Sequence, residues 1–313
     1  MNNINLKSFL TEWAEWTKSP NLNKKTIKDT GFDIIDNQLQ GLRPNQLIIL
    51  GGRPGAGKTT FALNVMDAID KQLADNERIL FISLEQSASE ILQKTIALNH
   101  IYPLRNFYNS QNIVEELNNK FGSKLANTVK DSKIVMVDST DVKAEDISKI
   151  ILKYQDENKV VVRAVFIDHI QILSTAKYSS TKYEQACIVS RELKKLALGL
   201  EIPVFALSQM SRDWAKEKKK FAPSLTDLRD SGSLEQDADI VMFIYQRENN
   251  EIPPTLYAEP VNISIAKNRN GSLGSDTPLC FFSSVAKMVD ATNQYVIQST
   301  QRSLKDWNAK GDL

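Results

Sequence analysis

The segment Gly52-Arg53-Pro54-Gly55-Ala56-Gly57-Lys58-Thr59 constrains this chain more than any other stretch. It fits the spacing G-x-x-x-x-G-K-[ST]. It also sits directly between a short apolar run, Leu47–Leu50, and a stretch of helical periodicity from Lys58 to Leu73. Strand, glycine-rich turn and helix in that order aim backbone N–H groups at one point beside a helix N-terminus, where a phosphate binds. Lys58 then reaches the β and γ phosphates of a nucleotide, and Thr59 offers its hydroxyl to Mg²⁺. Gly52, Arg53, Pro54, Gly55, Ala56, Gly57, Lys58, Thr59 and Thr60 are the expected ATP-binding residues.

The rhythm around this loop sets the fold class. Leu47–Leu50, Ile79–Ser83, Ile134–Val137, Ala164–Ile167 and Val204–Leu207 are short and continuously apolar, as strands buried on both faces are. Between them Ser89–Asn99, Ala144–Gln155 and Lys182–Leu200 show helical periodicity. Alternation of this kind specifies an α/β fold, a mostly parallel twisted sheet flanked by helices. Ile240–Tyr245, Val261–Ala266 and Leu279–Phe282 extend the sheet at one edge, with turn-rich pieces at Glu251–Pro254 and Asn268–Gly274.

Ligands of a parallel sheet lie outside the carboxyl ends of its strands. Asp168, ending Val165-Phe166-Ile167-Asp168, is the expected metal carboxylate together with Thr59. Glu85, just past Ile79–Ser83, is the candidate that activates water at the γ phosphate; its bland alternative is a cap for the helix that follows. Gln209, after Ala206-Leu207-Ser208, can hydrogen-bond the γ phosphate through its amide.

With 313 residues, 42% hydrophobic and 25% charged, the chain has ample material for a buried core. No apolar run is long enough to span a membrane and the start MNNINLKSFL lacks a secretory layout, so the expected location is the cytoplasm. Cys187 and Cys280 are far apart without partnering His, which excludes a zinc module and a disulfide framework. Net charge is +1, from 39 Lys+Arg against 38 Asp+Glu, so contact with a polyanion requires local clustering. Lys216–Lys220 is one charge run, of the kind usually found in solvated loops. Near the start, Leu6, Phe9, Leu10, Trp13 and Thr17 share one helical stripe that a lone short helix cannot bury.

Taken in order, these pieces resemble the ATPase domain of DnaB-type replicative DNA helicases, within the RecA-like P-loop NTPases. The resemblance runs from Thr30-Gly31-Phe32 through GGRPGAGKTT, FISLEQS, FIDHIQIL and ALSQMSR. It is most specific in Asp227–Asp239 (DLRDSGSLEQDAD) and Ile265–Gly274 (IAKNRNGSLG). It implies an ATP-hydrolysing homo-hexameric helicase that moves 5′–3′ on single-stranded DNA, with ATP sites at subunit boundaries and a loader or primase as further partner. Lys58, Thr59, Glu85, Asp168 and Gln209 match the nucleotide positions, and Lys94 stands at a nucleotide contact where the family usually has Arg. Lys267 and Arg269 match the basic pair that reaches a neighbour's γ phosphate. Arg229, Asp230 and Gly232 match the channel loop that holds the DNA backbone, with Asp230 where Glu is usual. His169 stands where Tyr is common and receives no role.

Residues 1–29 form the expected arm with its linker helix, docking on a neighbouring subunit, and 30–313 the ATPase domain with a C-terminal tail. The arm leaves no space for the family's usual N-terminal helical domain. Two other readings are a paralogue that loads or regulates another helicase, and a RecA/RadA-like recombination ATPase. Intact Lys58, Glu85, Asp168 and Arg269 oppose a degenerate adaptor but leave partnership with another helicase open, and the missing zinc module opposes the second.

Overall fold

A computed structural model describes residues 26–138, 141–179, 181–211, 214, 222–228, 231–246 and 257–309. The stripe at 6–17, the basic run at 216–220, Arg229, Asp230 and the turn at 251–254 lie outside the described residues.

The strands are β1 (Leu47–Gly52), β2 (Glu77–Ser83), β3 (Ile134–Asp138), β4 (Val161–Asp168), β5 (Val204–Gln209), β6 (Ile240–Tyr245), β7 (Glu259–Asn268), β8 (Gly274–Phe282) and β9 (Lys287–Asp290). The helices are α1 (Lys58–Asp70), α2 (Ala88–His100), α3 (Asn106–Asn109), α4 (Ile113–Phe121), α5 (Ser123–Lys130), α6 (Ile147–Asn158), α7 (Lys182–Leu200), α8 (Ser231–Asp237) and α9 (Gln294–Ala309). The strands form one sheet in the order β3-β2-β4-β5-β1-β6-β7-β8-β9. From β3 to β6 every neighbouring pair is parallel, and β7, β8 and β9 add an antiparallel meander.

Alternation along each central strand builds two cores. Ile48, Leu50, Phe81, Phe166, Phe205 and Met242 face one side and pack with Phe61, Val65, Met66 and Ile69 of α1. Leu47, Ile49, Leu80, Ile82, Val165, Val204 and Phe243 face the other, with Val189, Leu193 and Leu196 of α7. Covering both faces explains why these strands read as unbroken apolar runs rather than as alternating ones.

The expected strands are all present, β6 with the predicted bounds and the others somewhat longer. α7 has the expected bounds, whereas α1 stops at Asp70, three residues early, and the 144–155 stretch opens with a 3₁₀ turn at Ala144–Asp146 before α6. Elements that the sequence pattern did not predict are α3, α4, α5, α8, β9 and α9, of which α8 falls where a channel loop was expected. α9 occupies most of what was expected as a tail. Its Trp307 is buried, stands edge-on to Tyr102 at 5.2 Å and carries Lys120 Nζ 3.1 Å above its ring. Asn64 ties α1 to the meander: its amide donates to Thr60 O and Ala286 O, and its Oδ1 accepts from Met288 N–H at 3.2 Å. Cys280 is buried, but Cys187 is only half-buried. No helix among the described residues is long and apolar enough to cross a membrane.

Candidate active site

The glycine-rich turn joins β1 to α1 at the carboxyl edge of the parallel strands. It closes through Ala56 N–H to Arg53 O at 3.1 Å. Gly57 is the N-cap of α1 at φ +94, a left-handed backbone that requires glycine, and a Cβ there would also push against the Met288 methyl at 2.8 Å. Phe61 N–H is the first to be taken by the helix, bonding Gly57 O, which leaves the N–H groups of α1's first turn for an anion.

Lys58 folds its ammonium back over this turn, donating to Gly52 O at 3.0 Å and Arg53 O at 3.2 Å. Burial lowers its pKa, with the charges of Asp168 and Glu85 opposing. Thr59 Oγ1 donates to Asp168 Oδ2 at 2.6 Å. Asp168 is buried, which raises its pKa, while the Thr59 hydrogen bond and the nearby His169 lower it. A buried carboxylate beside a hydroxyl is a pair of oxygen donors suited to a hard cation such as Mg²⁺. Arg53 reaches out of the turn to Met210 O and Ser211 O at 3.5 and 3.4 Å. Pro54 and Gly55 are exposed at its tip, whereas Thr60 is buried beneath it, pointing into the fold.

Strand register brings the other candidates to the same edge. Ser83 pairs with Asp168, Ile167 with Ala206 and Gly52 with Gln209, so all four strands end at one edge, β1 and β5 running two residues past β2 and β4. Glu85, just past β2, is half exposed. It is not the cap of α2: that helix is capped by Ser87, whose hydroxyl accepts from Glu90 N–H in a capping box completed by Glu90. The bland alternative for Glu85 is therefore removed, and its carboxylate is free to face the site. Lys94 of α2 donates to Gln86 Oε1 at 2.7 Å; burial lowers its pKa, against the attraction of Asp168, Glu90 and Glu85.

Sequence reasoning passed over His169, and the structure sets it among these groups. Ligand atoms of Glu85, Asp168 and His169 lie within 4.8 Å of one another. The signal was its place directly after Asp168.

Lys267 and Arg269 are elsewhere. Lys267 pairs with Val241 near the start of β6, and Arg269 N–H donates to Asp239 O at 2.9 Å, just before that strand. Both belong to the amino edge of the parallel strands. Lys267 bonds the carbonyls of Glu235 and Gln236 at the end of α8, and Arg269 bonds that of Gln236, with Nη1 3.6 Å from Asp239 Oδ1. Cations over the last turn of a helix suit its dipole. Burial, then the adjacent Arg269, lowers the Lys267 pKa. Gly232 lies in α8 against α7, where a Cβ would stand 3.0 Å from Tyr183 Oη.

Residues 28–290 match the family model described as DnaB-like helicase C terminal domain. The replicative DNA helicase DnaB of Haemophilus influenzae is 34% identical over 271 residues, 86% of this chain and 56% of the relative. The replicative DNA helicase DnaC of Bacillus subtilis is 30% identical over 267 residues, 85% of this chain and 57% of the relative. The chain thus spans about half the length of the curated relatives it matches. A solved structure of a DnaB-like replicative helicase and its interactions with primase superposes at TM-score 0.75 with 26% identity, over 90% of this chain and 66% of that one. A solved ATPase domain superposes at TM-score 0.77 with 26% identity, over 93% and 99%.

Proposed function

The chain belongs to the family of DnaB-like helicase C-terminal domains, and from that premise we propose that it is the ATP-driven motor of a hexameric ring that moves 5′–3′ on single-stranded DNA and unwinds duplex during replication. The observation that carries the proposal is the division of the catalytic set between opposite edges of one sheet. Lys58, Thr59, Glu85, Asp168 and Gln209 gather at the carboxyl edge. Arg269 is level with the first residue of β1, because Asp239 accepts its N–H and itself donates to Leu47 O. At about 3.3 Å per residue, that is roughly 16 Å along the strands from Gly52. One copy cannot complete its own site. A second copy set head to tail can, and a head-to-tail contact that closes on itself makes a ring.

In that arrangement the N–H groups of the turn and the Lys58 ammonium hold the triphosphate, with Lys58 moving off Gly52 O and Arg53 O onto phosphate oxygen. Thr59 and Asp168 would hold Mg²⁺, whose charge would offset that of the phosphate oxygens. Glu85 orients the attacking water and accepts its proton, Gln209 bonds the γ-phosphate oxygens, and the neighbour's Lys267 and Arg269 stabilise the charge that spreads over them. Arg229, Asp230 and Gly232 line the channel and track phosphates without reading bases. A net charge of +1 suffices for this, since ring symmetry multiplies each cation. A primase or loader as further partner is consistent with the family.

Strand displacement on a forked duplex with a 5′ single-stranded tail tests the proposal. The wild-type chain should unwind it with Mg-ATP, and Lys58→Ala should not. Hydrolysis without displacement would refute the helicase reading in favour of an ATPase that serves another ring.

A further inference from the structure

His169 is left without a task by the roles above, although it stands between two of the residues that have one. β4 lies between β2 and β5 in the sheet, so the residue directly after Asp168 is flanked by the ends of both neighbours. Its side chain is buried. Nδ1 lies 2.9 Å from Glu85 Oε2, and Nε2 lies 3.2 Å from Gln209 Nε2. The Nδ1 approach is close but out of line for a straight hydrogen bond, and it acts by charge–dipole attraction. With the ring proton on Nδ1 both contacts are attractive: the N–H faces the carboxylate, and the bare Nε2 accepts from the Gln209 amide.

The two residues it touches differ in how well they are otherwise held. The Gln209 backbone N–H donates to Gln171 Oε1 at 3.2 Å, and Gln171 Nε2 donates to Ser208 Oγ at 2.8 Å, so the end of β5 is braced. Glu85 is half exposed past the end of β2, with the His169 ring against its carboxylate. A cavity of about 170 Å³, lined by His169, Gln171, Gln209, Val189 and Leu234, leaves room beside the Gln209 amide for it to swing. Through the imidazole, a movement of that amide reaches the Glu85 carboxylate.

We propose that His169 is a positioning residue that sets the direction of the Glu85 carboxylate and the Gln209 amide together, so that the water-activating group and the γ-phosphate contact respond as one unit. The inference rests on the roles given above to Glu85 and Gln209. It assigns His169 no contact with ATP.

Steady-state ATP hydrolysis by the full chain, with and without oligo-dT, tests it. His169→Phe keeps the ring volume and removes both polar contacts. It should leave the KM for ATP within about twofold of wild type and lower kcat by about 10-fold or more, the size of a misdirected general base. His169→Asn, which retains one donor and one acceptor, should recover part of the loss; it also serves if the Phe variant does not fold. His169→Phe combined with Gln209→Ala should cost little more in kcat than the worse single change, since both break one unit. A packing role alone would lower the melting temperature, leave kcat per folded molecule unchanged and give independent, multiplicative effects. A His169→Phe kcat within about twofold of wild type, or full multiplicativity with Gln209→Ala, overturns the inference. A wild-type chain that binds ATP without hydrolysing it overturns the reading of Glu85 and this inference with it.

Discussion

Replacing Asp290 with Asn should stabilise the protein at neutral pH and do nothing in acid. Asp290 ends β9, where its Oδ2 accepts from Asp33 N–H at 2.9 Å while Oδ1 is buried without a hydrogen-bond partner. Burial, opposed by the Asp33 hydrogen bond and helped by the charges of Asp33 and Asp36, raises its pKa from 3.8 to about 6. The proton therefore binds more tightly to the folded than to the unfolded chain. The stability Asp290 contributes is complete below about pH 3.8 and is lost as the pH rises through about 6. That interval corresponds to roughly 3 kcal/mol against the ionised form at pH 7 to 8. Asp33 is exposed and water screens this corner, which reduces the figure to about 1–2 kcal/mol. An Asn carbonyl can still accept from Asp33 N–H without the charge. Urea unfolding followed by circular dichroism should show a midpoint about 0.3–0.6 M higher for Asp290→Asn at pH 8, converging on wild type by about pH 4. A variant less stable than wild type at pH 8, or a gain that does not change with pH, would refute the reasoning.

Two further substitutions separate the edges of the sheet from its periphery. Arg269→Ala should bind ATP with near wild-type affinity yet lose about 10³-fold or more in hydrolysis, as expected of an arginine acting on a neighbour's site. In mixtures with wild type the activity should fall more steeply than the wild-type fraction, and a linear fall with normal residual hydrolysis would exclude a trans role. Trp307→Ala removes a buried ring set edge-on to Tyr102 and beneath Lys120, and should cost about 3–5 kcal/mol in urea unfolding. A loss below about 1 kcal/mol would mean that α9 is not part of the cooperative core.

The central sheet was legible because its physics is strict: a strand covered on both faces must be apolar at every position, and nothing else in a polar chain of this kind looks like that. The periphery obeys looser rules. α3 has four residues and α5 only eight, none of them fully buried, so neither supplies a stripe long enough to read. β9 is equally short, and its Lys287 and Asp290 interrupt the apolar pattern although both are drawn into the fold. α4 and α9 are a different case. Ile113, Leu117 and Phe121 recur every four residues, and Ile297, Thr300, Leu304 and Trp307 fall on one helical face. Both patterns are present in the sequence. What hides them is that their partners, Tyr102 and each other around Trp307, and Cys280, Phe282 and Val289 beneath Ile297 and Leu304, are brought together only by the fold.

The same distinction governs the site. Lys58, Thr59, Asp168, Glu85 and Gln209 follow from a rule about single strands, that ligand-binding groups stand at carboxyl ends, and each strand with its turn can be recognised alone. His169 requires a fact about three strands at once. Only because β4 is inserted between β2 and β5 does the residue after Asp168 touch Glu85 on one side and Gln209 on the other. Strand order is not encoded in any local run, since crossover connections leave several orders open to the same elements. Lys267 and Arg269 show the limit from the other direction. Their place at the amino edge is a property of this chain, settled by the antiparallel pairing of β7 with β6, whereas any action on a phosphate requires a second copy. On the proposed ring, the chemistry legible in one sequence is the half that one chain contains, and a neighbouring copy would supply the rest.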